Sequence, residues 1–189
     1  MAKTPEPVRL SGVDQLRAAR SPVAHQVISV MERLRRASVA ELAEHTAVPA
    51  GSLYYHVRRL VGAGALRACE RRSTGGRDEV VYELTGSEVV LEADPGDAEA
   101  TEEFRRTLRT RFRALERGYL GALEQPGTVR RGRGRNLSLH QHQARLSTAD
   151  RDELQRRIAD LEAFLIERDD PRRQDFVQVT VAVHPVASG

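Results

Sequence analysis

The chain has 189 residues, which is enough for one ordinary domain or two small ones. It is 40% hydrophobic and 30% charged, and no apolar run approaches the roughly 20 residues of a membrane-spanning helix, so no membrane protein is expected. Its one cysteine, Cys69, excludes an internal disulfide, and the N-terminal region lacks the apolar core of a signal peptide, so we expect a cytoplasmic protein.

The N-terminal region predicts a tail followed by two helices. Residues 1–12 contain prolines and no periodicity, which indicates a flexible tail. The stretch from Val13 to about Arg20 favours a short helix. Ser21 then supplies an N-cap and Pro22 suits the first helical position, and the apolar residues that follow at 3.6-residue spacing predict a helix to about Arg36.

The next segment predicts two short helices joined by a tight turn. Ser38 caps the first of these helices, and Glu41 three residues later completes a capping box. Residues 45–49 form the turn, and the second helix runs from Ala50 to Ala63. Its inner face is predicted to consist of Leu53, Val57, Leu60 and Val61, and the glycines that end it are Gly62 and Gly64.

A hairpin with basic residues at its tip follows this pair of helices. Residues 65–71 and 79–84 read as strands, and residues 73–77 supply the turn chemistry between them. Residues 9–77 carry 12 arginines against 5 acidic residues, a net charge of +7. A basic module of two helices and a hairpin is what a phosphate-facing winged helix-turn-helix domain requires, so we assign residues 13–85 to one.

Duplex DNA is the partner that this domain predicts. Small residues at the start of the second helix allow close approach to base edges, and its tyrosines, histidine and arginines reach bases or phosphates. The predicted DNA-binding residues are Ala50, Gly51, Ser52, Tyr54, Tyr55, His56, Arg58, Arg59, Arg71, Arg72 and Arg77. The alternative is an ordinary helical hairpin whose tyrosines belong to the core.

Residues 13–84, about 40% of the chain, resemble ArsR-type bacterial transcriptional regulators. The resemblance rests on the run ELAEHTAVPAGSLYYHVRRLVGAGAL: a short helix, a turn, a helix with a Tyr-His pair, and an Ala-Gly step into the wing. It implies that the helix Ala50–Leu60 enters the major groove and that a homodimer binds a near-palindromic operator. Metal-sensing members usually carry a cysteine pair where this protein has VAELAE at Val39–Glu44, so thiolate sensing is not expected there.

A long helix with a narrow apolar seam follows a linker at residues 86–97. It is predicted over Ala98–Glu124, with apolar residues at spacings of 3 and 4 that are typical of coiled-coil pairing. The seam, which we expect to form a homodimer interface, consists of Phe104, Leu108, Phe112, Leu115, Tyr119 and Leu123. The opposite face carries Arg105, Arg106, Arg109, Arg113 and Arg117.

The remaining residues predict a small strand–helix–strand unit. Strands are expected at residues 137–143 and 177–183, and a helix capped by Ser147 and Asp150 is expected between them. The fold class is therefore α+β, mainly α, and residues 98–189 are assigned to dimerisation. They are also the candidate region for binding a small-molecule effector, although the sequence shows no identifiable pocket. Arg130–Arg135 forms either a second phosphate-binding arm or a solvated loop.

Other site types have weaker support. His140, His142 and His184 would converge on zinc or nickel if their strands were neighbours, but a solvated polar sheet face is the preferred interpretation. Cys69 reads as a small apolar filler rather than a redox sensor. No catalytic motif, cofactor or metal site is predicted, so an enzyme is not expected. The alternative function is a winged-helix adaptor that binds another protein and no operator.

Overall fold

The computed structural model describes residues 6–46, 48–74, 77–170, 172–173 and 176–186, without the side chains of Thr74 and Arg77. The chain divides into two compact units, Met1–Gly121 and Ala122–Gly189. Within the described ranges, no helix is both long enough and apolar enough to cross a bilayer. The elements up to residue 122 are β1 (Val8–Leu10), α1 (Val13–Ala19), α2 (Pro22–Leu34), β2 (Arg36–Ser38), α3 (Val39–Thr46), α4 (Ala50–Gly62), β3 (Leu66–Thr74), β4 (Arg77–Leu84), β5 (Val89–Leu91) and α5 (Ala98–Ala122).

The helices of the first unit begin and end where local chemistry favours it. The Ser21 hydroxyl accepts a hydrogen bond from the Ala24 amide at 3.0 Å, which caps α2. Ser38 and Glu41 form the predicted capping box at α3, with bonds of 2.6 and 3.2 Å between each backbone amide and the other side chain. Gly64, with φ of 81°, occupies the left-handed conformation that reverses the backbone after α4.

The wing is the antiparallel hairpin β3–β4, and β2 pairs with the outer side of β4 to give the order β2-β4-β3. The register places Ala37 and Ala68 on either side of Tyr82. A bulge lies between Ala68 and Glu70, so Cys69 is outside the regular pairing. This arrangement of helices and sheet confirms the predicted winged helix-turn-helix within an α+β, mainly helical fold.

The expected tail and linker differ from the structure, because parts of both are strands. Val8–Leu10 pairs in parallel with Val89–Leu91, and the Leu10 side chain is fully buried. The backbone returns beside this ladder through Gly86, where a Cβ atom would lie 2.5 Å from the Glu6 carbonyl oxygen. Burial of apolar side chains therefore stabilises residues that lack periodicity of their own.

The hydrophobic core joins α2, α3 and α4. Fully buried side chains include Met31 of α2, Leu42 of α3 and Leu60 of α4. Each such side chain contributes on the order of 1.5–3 kcal/mol through burial. The core therefore holds α3 and α4, the two helices of the helix-turn-helix, against α2.

The start of α5 is anchored to this core by a buried carboxylate. Glu103 is 2% exposed, and one of its oxygens accepts a hydrogen bond from the Arg20 guanidinium at 2.8 Å. Arg17 approaches the other oxygen at 3.5 Å. Ala100 and Thr107, one turn to either side, are also buried. The first half of α5 thus belongs to the same packed body as the winged helix.

The second unit contains α6 (Thr148–Arg168), capped by Ser147 and Asp150 as predicted. The strands predicted at residues 137–143 and 177–183 are wrong for the isolated protomer, because neither described segment forms a strand. A strand needs a neighbour for its backbone hydrogen bonds, and these two segments do not pair with each other. Alternating side chains predicted the extended conformation but could not supply that neighbour.

Candidate nucleic-acid interface

The helix α4 exposes one face and buries the other. Leu53, Val57 and Leu60 are at most 1% exposed and fix the helix to the core. Gly51, Ser52 and Arg58 are exposed on the remaining surface. A helix held by its apolar side and free along its polar side can lie in the major groove.

The exposure of two tyrosines tests the alternative that α4 belongs to an ordinary helical hairpin with its tyrosines in the core. Tyr54 is 55% exposed and Tyr55 is 59% exposed, so the alternative that places them in the core is wrong. Val61, predicted on the inner face, is 37% exposed. The three buried positions of α4 already span the inner face, and Val61 lies about 100° around the helix from Leu60.

The turn before α4 exposes the positive end of this helix. The Thr46 hydroxyl donates to the Leu42 carbonyl at 2.8 Å and accepts from the Val48 amide at 3.3 Å, which closes α3 and turns the backbone. Pro49 is the N-cap of α4, and the helix receives no side-chain cap from the described residues. Ala50 is half-buried at this end. Helix N–H groups without a side-chain cap suit a phosphate oxygen.

A small cluster of polar side chains orders the middle of α4. The Tyr55 and His56 rings meet edge to face with centroids 5.1 Å apart, and the Tyr55 hydroxyl lies 3.2 Å from Arg59 Nη1. Nδ1 of His56 lies 3.2 Å from the Ser21 hydroxyl. Burial, helped by the nearby Arg59 charge, lowers the pKa of His56. His56 is therefore held neutral at neutral pH, and it positions Tyr55 rather than adding charge.

The wing arginines play different parts in the fold. Arg72 pairs with Glu41 at 3.1 Å, so it ties the wing to the N-terminus of α3. The pKa of Glu41 is lowered chiefly by the hydrogen bond from the Ser38 amide, and Arg72 adds to the effect. Arg71 is exposed, and its guanidinium forms no ion pair with the described residues. The side chain of Arg77 and the whole of Gly75 and Gly76 lie outside the described residues.

A second charge cluster, which the sequence did not predict, stiffens the base of the wing. Glu83 of β4 lies between Arg67 of β3, at 2.6 Å, and Arg36 of β2, at 3.2 Å. The two arginines lower the pKa of Glu83, with the hydrogen bond from Arg67 the largest cause. The strand register puts the three residues side by side. Only the pairing of β2 with β4, which sequence periodicity does not show, reveals the cluster.

The predicted dimer seam lies beside the inward face of α5. Phe112 is 54% exposed, while Phe104, Leu108, Leu115 and Tyr119 are half-buried. Leu123 follows the end of the helix and is half-buried. The side chains of α5 that are buried in the first unit are therefore those of Glu103 and Thr107, and not those of the seam. Apolar side chains remain available along one side of the helix.

The histidines considered as metal ligands do not converge in the described part of the protein. His140 and His142 are exposed in a segment without regular structure, and Nδ1 of His184 lies 3.0 Å from the Pro185 carbonyl oxygen. Among the described residues, no group of three or more His, Cys, Asp or Glu side chains is placed to hold a metal ion.

Comparisons with known proteins give fold-level likenesses only. No protein-family model matches the sequence, and no curated protein shows significant similarity to it. The chain is similar to a solved transcriptional regulator homologue from Pyrococcus horikoshii OT3, at 18% identity and a TM-score of 0.33, over 60% of this chain and 94% of that one. It is also similar to the YusO protein from Bacillus subtilis, at 14% identity and a TM-score of 0.30, over 79% of each chain.

A third similar structure is a MepR-like protein complexed with pseudoligands, at 13% identity and a TM-score of 0.32, over 82% of this chain and 83% of that one. Likenesses at such TM-scores carry no argument about function. None of the three is described as an ArsR-type regulator, so that resemblance stays a prediction.

Proposed function

We propose that the protein is a sequence-specific DNA-binding transcriptional regulator of the cytoplasm, which acts as a homodimer on a near-palindromic operator and catalyses no reaction. The observation that carries the proposal is the exposed polar face of α4 beside a wing that exposes an arginine, Arg71. Gly51, Ser52 and Tyr55 are exposed on that helix, and Arg58 and Arg71 are exposed on the helix and the wing. In this proposal α4 reads the major groove, and the wing contacts the flanking phosphates.

The seam on α5 is our proposal for the dimer contact. Its aromatic and aliphatic side chains follow one another at coiled-coil spacing along an element that is anchored to the DNA-binding core by Glu103. A two-fold dimer would place two copies of α4 about 34 Å apart, one turn of DNA. An effector would regulate binding by favouring one spacing of these helices over another.

Salt dependence tests the phosphate contacts residue by residue. Each lost phosphate contact reduces the slope of log affinity against log salt by about 0.9. We expect Arg58→Gln and Arg71→Gln each to reduce the slope by about twice that amount for all DNA sequences, because each homodimer loses two contacts. The slope is measured by fluorescence anisotropy on a labelled duplex.

Arg72→Gln is the matched control, because this neighbour of Arg71 in the wing pairs with Glu41 at 3.1 Å. The change should have little effect on stability, since exposed ion pairs contribute little, and should leave the salt slope unchanged. Equal slopes for wild type, Arg58→Gln and Arg71→Gln would overturn the assignment of this face to DNA.

Selection of bound sequences from random duplexes tests sequence specificity and symmetry together. A palindrome whose half-sites are one helical turn apart is the expected result, and Ser52→Ala should relax the preference at one base position in each half-site. Failure to enrich any sequence, with little duplex affinity even at low salt, would favour the protein adaptor instead.

A further inference from the structure

The second unit has no buried core of its own. None of the described residues from 122 to 186 is buried, although α6 carries apolar side chains along its length. Leu161 is 38% exposed, Phe164 is 54% exposed and Ile166 is 64% exposed. Helices in proteins depend on tertiary packing of an apolar face, so α6 needs a covering that the described residues of its own unit do not provide.

The segment that follows α6 supplies half of such a covering. Valines stand at the alternate positions 177, 179, 181 and 183. The last three line an open groove of about 340 Å³ with apolar residues of α6, as side chains on one side of an extended segment would. The other lining residues are Gln155, Ile158, Leu161, Glu162 and Leu165. The valines are nevertheless between 48% and 57% exposed, so the groove is incomplete.

The backbone of this extended segment also lacks hydrogen-bond partners among the described residues. Residues 177–183 are in no strand, and no backbone–backbone hydrogen bond joins them to any described residue. An extended segment with apolar side chains on one face and a free row of N–H and C=O groups is an edge on which another strand can form. The sequence from Phe176 to His184 contains no acidic residue, lysine, arginine or proline to oppose such pairing.

We propose that this edge is completed by the same segment of a second copy of the protein. The two segments form an antiparallel pair, and the two-fold axis passes between the two copies of Thr180. The homodimer of the proposed function is the premise of this inference. Each protomer contributes one strand to a two-stranded ribbon, and the α6 helices of the two copies cover its valine face. The seam on α5 and this ribbon are then two contacts of one dimer.

The sequence is complementary to itself only in this register. With Thr180 opposite Thr180, Val179 lies opposite Val181 and Val177 opposite Val183, so every valine faces a valine. An axis at residue 179 would place Val183 opposite Asp175, and an axis at residue 181 would place Val177 opposite Pro185. An odd shift would put the valines of one copy on the polar face of the other.

Engineered cysteines test the register in the full-length protein. In a Cys69→Ser background, Thr180→Cys would place two thiols directly opposite each other, with Cα atoms about 4.5–5.5 Å apart. Gln178→Cys lies on the same polar face, but its two copies would be offset by four residues, about 13 Å along the ribbon. Both positions are exposed. A mild oxidant and a short bis-maleimide are applied to each variant, and covalent dimer is measured on a denaturing gel.

We expect Thr180→Cys to form covalent dimer at least tenfold faster than Gln178→Cys. Mixing Gln178→Cys with Ala182→Cys, which this register places opposite each other, should give a covalent heterodimer after subunit exchange. Equal rates for Thr180→Cys and Gln178→Cys, or no covalent dimer from either route while circular dichroism shows folded protein, would overturn the proposal. Affinity for duplex DNA is measured on the same variants, so loss of the ribbon is distinguished from failure of DNA binding.

Discussion

Stability of the first unit should depend on pH through a half-buried histidine. His25 lies on α2, and its buried Nδ1 has no hydrogen-bond partner among the described residues. Burial lowers the pKa of His25 from 6.5 to about 4, and the charge on Arg111 of α5 adds to the effect. The folded protein therefore holds this ring neutral at pH values where the unfolded state protonates it.

The sign and size of the effect follow from that difference in pKa. Below pH 6.5 the unfolded state binds the extra proton, so the free energy of unfolding falls as the pH drops towards 4. One pKa unit corresponds to about 1.4 kcal/mol, so the full difference is about 3 kcal/mol, and partial exposure of the ring reduces it to about 2 kcal/mol. Replacing the ring with a side chain that does not titrate should remove this loss.

The measurement is urea unfolding of wild type and His25→Gln, followed by circular dichroism at pH 7, 6, 5 and 4. The stability difference between the two proteins should shift by about 2 kcal/mol in favour of His25→Gln over this range. Burial raises the pKa of the neighbouring Glu32, which acts in the opposite direction, but Glu32 is present in both proteins and its contribution largely cancels. A stability difference that is independent of pH would refute the reasoning.

Two pairs of substitutions, each a test and its comparison, examine what holds α4 and α5 in place. Leu53→Ala should lower the free energy of unfolding in urea by about 2–5 kcal/mol because the side chain is fully buried. Val61→Ala, on the exposed side of α4, should lower it by less than about 1 kcal/mol. Equal losses would contradict the assigned faces. Glu103→Gln should cost about 1.5 kcal/mol because Arg20 loses a charged hydrogen-bond partner but keeps access to solvent. The exposed pair of Arg9 and Glu92 is the comparison, and Glu92→Gln should cost less than about 1 kcal/mol.

The helix-turn-helix was predictable because its signals are local. Ser38 and Glu41 are three residues apart and satisfy each other's backbone amides, so the start of α3 is visible in the sequence. Gly64 marks the end of α4 because the backbone there needs a positive φ. The apolar spacing of α4 then identifies most of its buried side. Such contacts involve neighbours in the sequence and need no knowledge of the tertiary fold.

The pairing of β1 with β5 was not predictable because it is non-local. Val8 and Val89 pair although about eighty residues separate them, and each strand has only three residues. Strands this short carry too little alternation to be recognised. The sequence also could not show that Arg72 forms an ion pair with Glu41 while Arg71 forms none with the described residues, because that pair too is non-local. The bulge at Cys69 and the position of Glu41 decide which of the two arginines forms the ion pair with α3.

Two adjacent faces of α5 explain how a dimer could set the position of the two copies of α4. At about 100° per residue, Glu103 and Thr107 share one face, and Leu108 and Phe112 lie on the face next to it. The first face is buried against α1 and the second is partly exposed. Because one rigid helix carries both contacts, pairing through the seam would fix the winged helix as well. A change that rotates α5 about its axis would therefore also move α4. Loss of the Val177–Val183 ribbon would weaken the dimer without altering the seam on α5.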